Sequence, residues 1–281
     1  MLSIFIEIRG DRFEAKTDFW GWAQARLFIM VYEEDLNFLE DDTDLDSPLD
    51  NLDTLEVLDT TAEPPKPDPE EMLPLLTHVV TTQRMLAARA FCEIQDARAI
   101  PHLIRLLTDP CPLVRVAAAY ALGRNPSQDA IEPLIQQLDR DWNGYARKGI
   151  VWALGNCHDL RALKPLLRSL KLDIAAVRLW AASSLAQAAD LGYEAVVATV
   201  PPIIEALIND PLAAVRSNCA WSLGRLCREL PSNVVYATAV DALIQVLEED
   251  RDLGVREDAK AALLKLGDPR GIQAIENLEF E

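Results

Sequence analysis

The sequence predicts an all-α solenoid, and three observations carry that prediction. First, one unit recurs along residues 72–281, as AIPHLIRLL (99–107), AIEPLIQQL (130–138), ALKPLLRSL (162–170), TVPPIIEAL (199–207) and AVDALIQVL (239–247). Second, a partner unit follows each copy: PLVRVAAAYALG (112–123), NGYARKGIVWALG (143–155), AAVRLWAASSLA (175–186), AAVRSNCAWSLG (213–224) and LGVREDAKAALL (253–264). Third, both units place apolar residues at the helical period, so each repeat reads as a helical hairpin. One hairpin cannot bury its apolar stripe, but a stack of about six can.

Taken in chain order, residues 1–32 form an aromatic-rich lead (Phe13, Phe19, Trp20, Trp22, Phe28) with four acidic and four basic residues. Its status stays open, because Met30 could equally be the true start. Residues 33–71 hold 16 acidic residues against one basic residue, Lys66. Self-repulsion and scarce apolar groups predict disorder there. The closing PPKPDP predicts a stiff, extended linker. QRMLAARAFCEI (83–94) is a degenerate first copy of the second unit. Arg84, Arg115, Arg147, Arg178, Arg216 and Arg256 mark the phase at spacings of 31, 32, 31, 38 and 40. Pro101, Pro133, Pro165 and Pro202 are expected near first-helix starts, where a missing N–H is tolerated. The two long spacings hold extensions around YEAVVATVPP and RELPSNVVYATA, and GIQAIENLEF (271–280) reads as a closing, capping helix.

The charge balance excludes several classes. The chain carries a net charge of −18, but residues 72–281 contribute only −3 of it. A near-neutral body with an acidic leader lacks the basic surface that a nucleic-acid binder requires. No run of 18 apolar residues is present, so no membrane span is expected. The start, MLSIFIEIRG, has no basic region ahead of its short apolar stretch and does not read as a signal peptide. Five cysteines without CxxC spacing point to reduced thiols and a cytoplasmic location.

With the repeats in register, a family resemblance follows. Asp–x5–Arg joins consecutive units at Asp109/Arg115, Asp141/Arg147, Asp210/Arg216 and Asp250/Arg256, with Asp173 one place late before Arg178. Followed by small residues and Leu-Gly, this resembles the HEAT-like repeat of the phycobilisome lyase family. The segments CPLVRVAAAYALGRNP, NGYARKGIVWALGNC and RSNCAWSLGRLCRELPSNVVYATA, with the acidic leader, look most like cyanobacterial HEAT-repeat proteins linked to iron–sulfur cluster assembly. The resemblance implies a lattice of Asp–Arg pairs bridging neighbouring repeats, so these residues are expected to be structural. It also implies that the second helices line a concave face.

Counting from each second-unit arginine, the residues one before and three, six, seven and ten after fall on one side and are small or aliphatic, which marks the buried face. Five residues after it stand Tyr120, Trp152 and Trp221, on the opposite side, with Ser183 between the two tryptophans. Gly123, Gly155 and Gly224 come eight after it, and Arg124, Asn156 and Arg225 nine after it. Aromatics beside arginines are common anchors of binding surfaces, and the glycines would leave the ring faces open. The competing reading is that the aromatics pack on one another along the stack, or that glycine and tryptophan form a helix-packing device.

Cys219, Cys227 and Cys157 fall towards the core, Cys92 lies eight after its arginine, and Cys111 sits in a turn. An iron–sulfur cluster needs thiolates converging on one point, so these are expected to be packing residues. A cluster shared with a partner through Cys92 or Cys111 stays open. Three scattered histidines (His78, His102, His158), no His-Glu pair, no P-loop and no GxGxxG leave no candidate for catalysis or for a resident metal. The expectation is therefore a non-enzymatic scaffold that binds another protein along its concave face and holds no cofactor, with iron–sulfur assembly as its leading context. The alternative is a phycobilin lyase or lyase-like chaperone, in which Arg124 and Arg225 would hold the propionates of a bilin.

Overall fold

The computed structural model describes residues 3–8, 11–16 and 67–279. The chain divides into two units, residues 1–63 and 64–281. In the first, strands β1 (Ser3–Ile8) and β2 (Asp11–Lys16) pair antiparallel, with Ile4 opposite Ala15, Ile6 opposite Phe13 and Ile8 opposite Asp11. The expected disorder of the acidic segment, the extended linker up to Lys66 and the alternative start at Met30 lie outside the described residues.

The second unit is all-α. Six hairpins follow one another: α1 (Pro69–Leu75) with α2 (Thr81–Ala90), α3 (Ile100–Leu106) with α4 (Pro112–Arg124), α5 (Gln128–Arg140) with α6 (Gly144–Asn156), α7 (Leu163–Leu172) with α8 (Ala175–Leu185), α9 (Tyr193–Asn209) with α10 (Ala213–Leu226), and α11 (Val234–Glu249) with α12 (Leu253–Leu266). A last helix, α13 (Pro269–Glu279), packs on α11 and α12 through Ala274 and Ile275 and closes the stack.

Helix starts follow local chemistry, and several depart from expectation. The first hairpin begins inside the stretch assigned to the leader: Asp68 caps Glu70 N–H, Pro69 fills the first turn, and Met72 and Leu76 are buried. Pro101 and Pro165 do sit in first turns. Pro133 and Pro202 instead lie inside α5 and α9. Ser127 caps α5 upstream of Pro133, and the YEAVVATVPP extension adds turns to the front of α9, starting after Gly192 at φ 97°. The RELPSNVVYATA extension lengthens α11 in the same way, with Asn233 as its cap.

Each second helix packs against the second helices before and after it, more tightly than successive first helices pack on one another. Small residues allow this approach. The side expected to be buried is buried: Val114, Ala118, Ala121 and Leu122 on α4, Ala146, Ile150, Ala153 and Leu154 on α6, and Val215, Cys219, Ser222 and Leu223 on α10. Buried hydroxyls tie adjacent second helices together, with Ser184 Oγ donating to the Val151 carbonyl at 3.1 Å and Ser222 Oγ to the Ala182 carbonyl at 2.8 Å.

Candidate functional site

The arginines form a continuous ladder along the turns within hairpins. Arg84 Nε donates to Asp109, Arg115 to Asp141, Arg178 to Asp210 and Arg216 to Asp250, each at 2.7 Å, and Arg147 Nη2 donates to Asp173 at 2.6 Å. Each of these five guanidinium groups thus takes the aspartate of the following hairpin. Its Nη1 returns to the backbone of its own turn: Arg115 to Asp109 O, Arg147 to Asp141 O, Arg178 to Asp173 O and Arg216 to Asp210 O, at 2.9–3.0 Å. The aspartates complete the turn by accepting a backbone N–H, as from Cys111, Asn143 and Asp252. Arg256, in the last hairpin, donates to Leu247 O.

Burial alone would raise the Asp141 carboxyl, but hydrogen bonds from Arg115, Gln137 and Asn143 N–H hold it below its ordinary value. Asp109 is likewise lowered by Arg84 and Cys111 N–H against its burial, and Asp250 by Arg216. These charges are consumed in holding hairpins together.

The opposite side of the second helices carries the aromatics. Tyr120 and Trp152 are half-buried and pack with ring centroids 5.5 Å apart and planes tilted at 45°. The glycines do not open the ring faces: a Cβ on Gly123 would stand 2.4 Å from Cζ3 of Trp152, so that ring lies directly over the glycine of the preceding hairpin. Gly149 receives Tyr120, Gly155 receives Ser184, and Gly224 receives Ala262. Tyr120 and Trp152 therefore pack along the stack, as the competing reading had it. Trp221 is different: it is 44% exposed, while Cys219, Ala220 and Leu223 beside it are fully buried.

The polar neighbours are pinned. Arg124 Nε donates to Cys92 O at 3.2 Å, and Asn156 Nδ2 to Gly123 O at 3.1 Å. Arg225 bonds Asp190 at 2.8 Å, and His158, at a positive φ of 48°, lies 3.3 Å from the same carboxylate. Trp180, which the sequence reading passed over, shares this face, with the Lys148 ammonium 5.4 Å from its ring centre. Two residues after its arginine, it occupies the place that Gly149 holds one hairpin earlier.

The thiols do not converge. No group of three His, Cys, Asp or Glu side chains could hold a metal among the described residues. Burial pushes Cys92 and Cys227 up to about 12 and raises Cys219 and Cys157, so all four favour the neutral thiol. The five cysteines do not fit a cluster held by this unit alone.

A second surface was not anticipated. Exposed apolar residues recur at the turns within hairpins: Val79 and Val80, Leu113, Trp142, Ile174, Leu212 and Leu253. The signal, an apolar residue next to the turn aspartate, was legible in Trp142 and Ile174. Trp142 is 76% exposed and lies over the Arg115 guanidinium at 5.7 Å. A cleft of about 340 Å³ also opens between the fifth and sixth turns, lined by Asp210, Arg216, Asp250 and Arg251, all engaged in the hydrogen bonds of the turns.

Stacked hairpins, a ladder of ion pairs and second helices that carry aromatics define a repeat solenoid of the helical-hairpin class. Its residues 70–154, 131–200 and 200–278 match the model for HEAT repeats, and the chain belongs to that family. A comparison with curated proteins finds no significant match. Among solved structures, an engineered protein is similar at 25% identity and a TM-score of 0.54, covering 71% of this chain and 98% of that one. A designed armadillo repeat protein in complex with the peptide (KR)4 shares 20% identity and a TM-score of 0.54, over 69% and 98%. The complex of CpcE and CpcF of phycocyanin lyase from Nostoc sp. PCC7120 shares 22% identity and a TM-score of 0.51, over 77% and 84%. Among the described residues, no helix is long and apolar enough to cross a membrane.

Proposed function

We propose that this protein is a non-enzymatic scaffold that holds a segment of another protein along the face of its second helices, with Trp221 as the central anchor. The exposure of Trp221 on a helix otherwise locked into the core carries this reading. A large ring presented from a rigid element loses little entropy on binding and is a typical hot spot. Trp221→Ala should weaken partner capture from native extract by about thirtyfold, the equivalent of about 2 kcal/mol. Normal capture by a folded Trp221→Ala protein would remove the basis of the reading.

The context implied by the resemblance, assistance to iron–sulfur assembly in the cytoplasm, belongs to the same proposal. Five free cysteines support a reducing compartment. In this reading the protein holds no cluster of its own, and any shared cluster would use the half-buried Cys92 or Cys111. Iron and sulfide assays after anaerobic reconstitution test it, with no stoichiometric binding expected.

The alternative, bilin handling, would draw on Arg124 and Arg225, but the latter is already engaged by Asp190. A red-region absorbance band on adding bilin would favour it.

A further inference from the structure

The two edges of the stack differ in chemistry. Of the fifteen large apolar side chains exposed among the described residues, ten lie in or beside the turns within hairpins, and each of the six turns carries at least one. The turns between hairpins are ionic instead: Arg98 pairs with Asp96 and Glu70, Arg161 with Asp159, and Arg270 with Asp268 and Asp241, all with half-exposed guanidinium groups. On the apolar edge the ladder arginines and aspartates are largely covered and neutralise one another. Side chains there also bridge from turn to turn. Trp142 lies over the Arg115 guanidinium of the preceding hairpin, and Ile174 lies over the bare backbone of Gly144.

We propose that two copies of this chain pair along the apolar edge, antiparallel about a two-fold axis between the third and fourth turns. An isologous contact needs a surface complementary to itself. Six turns meet that need: Trp142 of one copy faces Ile174 of the other, Leu113 faces Leu212, and Val79 faces Leu253, apolar against apolar each time. The largest ring then stands beside the axis, where binding anchors cluster. Area agrees with a dimer. Burying one large apolar side chain removes on the order of 100 Å² of apolar surface, and the ten are on average more than half exposed. They offer roughly 500–600 Å², and a standard homodimer buries about 800 Å² per partner, about two-thirds of it apolar. Little charge opposes the contact, since residues 72–281 carry a net of only −3. A lipid surface, in contrast, is drawn by unpaired Lys and Arg beside the apolar groups, and the ladder arginines here are spent on aspartates. The pairing uses the edge and leaves Trp221 on the second-helix face open, so it stands independently of the scaffold reading.

Sedimentation velocity of the full chain tests this. A mass of twice 31.3 kDa is expected by about 100 µM, because interfaces of standard size hold with micromolar affinity or better. Trp142→Ala should weaken dimerisation by about thirtyfold, as loss of a central anchor does. Leu113→Glu should weaken it by at least about tenfold, since it buries an unpaired charge. The same change suits the first turn of α4, so the monomer should tolerate it. Leu113→Glu combined with Leu212→Lys should recover the dimer, because the two-fold sets these positions against each other. Unchanged far-UV circular dichroism is the folding control. A single-chain mass at every concentration overturns the proposal, as does a dimer that ignores both Trp142→Ala and Leu113→Glu. A dimer weakened by Leu113→Glu and not recovered by Leu212→Lys rules out the antiparallel pairing and with it the proposal. Co-sedimentation with phosphatidylcholine–phosphatidylserine vesicles that is lost in Trp142→Ala would assign the edge to a lipid surface instead.

Discussion

Leu223 and Trp221 stand two residues apart on one helix, yet one is wholly buried and the other 44% exposed. Leu223→Ala should destabilise the stack by about 2–5 kcal/mol, through lost transfer energy and the cavity left behind. Trp221→Ala should stay within about 0.5 kcal/mol of the parent. Thermal melts of the two variants check this, and equal losses would mean that Trp221 is part of the core. Gly123 is expected to show a context-dependent sign. Alanine there favours the helix by about 0.5–1 kcal/mol in itself, but its Cβ would collide with the Trp152 ring. Gly123→Ala should therefore destabilise the parent by about 1–3 kcal/mol and become neutral or stabilising alongside Trp152→Ala. A double-mutant cycle measures the coupling directly. The residues five after each arginine were found from the sequence, with packing along the stack as one of two readings; which reading Trp152 follows depends on its neighbour across the helix interface, which comes from another hairpin.

At the scale of the element, the ladder makes neighbouring hairpins interdependent. Arg115 and Asp141 are nearly inaccessible, with side-chain exposures of 7% and 0%. Asp141→Ala strands that guanidinium and removes a turn cap, so a loss of about 3–5 kcal/mol is expected. Arg256→Ala should cost only about 1 kcal/mol, since its Nε donates to a carbonyl instead of a carboxylate. Denaturant titrations of the two separate these outcomes. The same pairs set the acid limit. Asp109, Asp141 and Asp250 have lowered pKa values in the folded state, so their contribution is complete above the unfolded carboxylate value of about 3.9. It is lost as pH falls through the folded values. Melting temperature should fall on acidification below about pH 4, and the fall should be shallower in Asp141→Asn.

On the scale of the whole molecule, stability in a solenoid is the sum of hairpins and their interfaces, so the ends matter as much as the middle. Helix α1 packs on α2, and Met72 within it and Leu76 just past its end are buried. A chain beginning at residue 77 should therefore melt below one beginning at residue 64, and equal melting of the two would show that α1 contributes nothing. The apolar turn edge from Val79 to Leu253 is a feature of the same scale, signalled in the sequence only by single apolar residues such as Trp142 and Ile174.

The sequence by itself determined the repeat, its phase and the buried side of every second helix. Helical period and the recurrence of one motif are properties of a single strand of text, and burying the stripe allows one architecture. The tertiary structure decided the pairings between repeats. It placed the first five of these arginines against the aspartate of the next hairpin, because the guanidinium reaches forward across the interface while its other nitrogen closes its own turn. It also decided that two tryptophans at one repeat position differ in fate. Trp152 meets Tyr120 and the bare backbone of Gly123, and the ring fills that space. At the same position in the hairpin before Trp221 stands Ser183, which offers no ring to pack against, and Trp221 remains exposed to solvent. Exposure on a stacked face depends on the side chain one repeat away, about thirty to forty residues off in sequence and about 8–10 Å off in space.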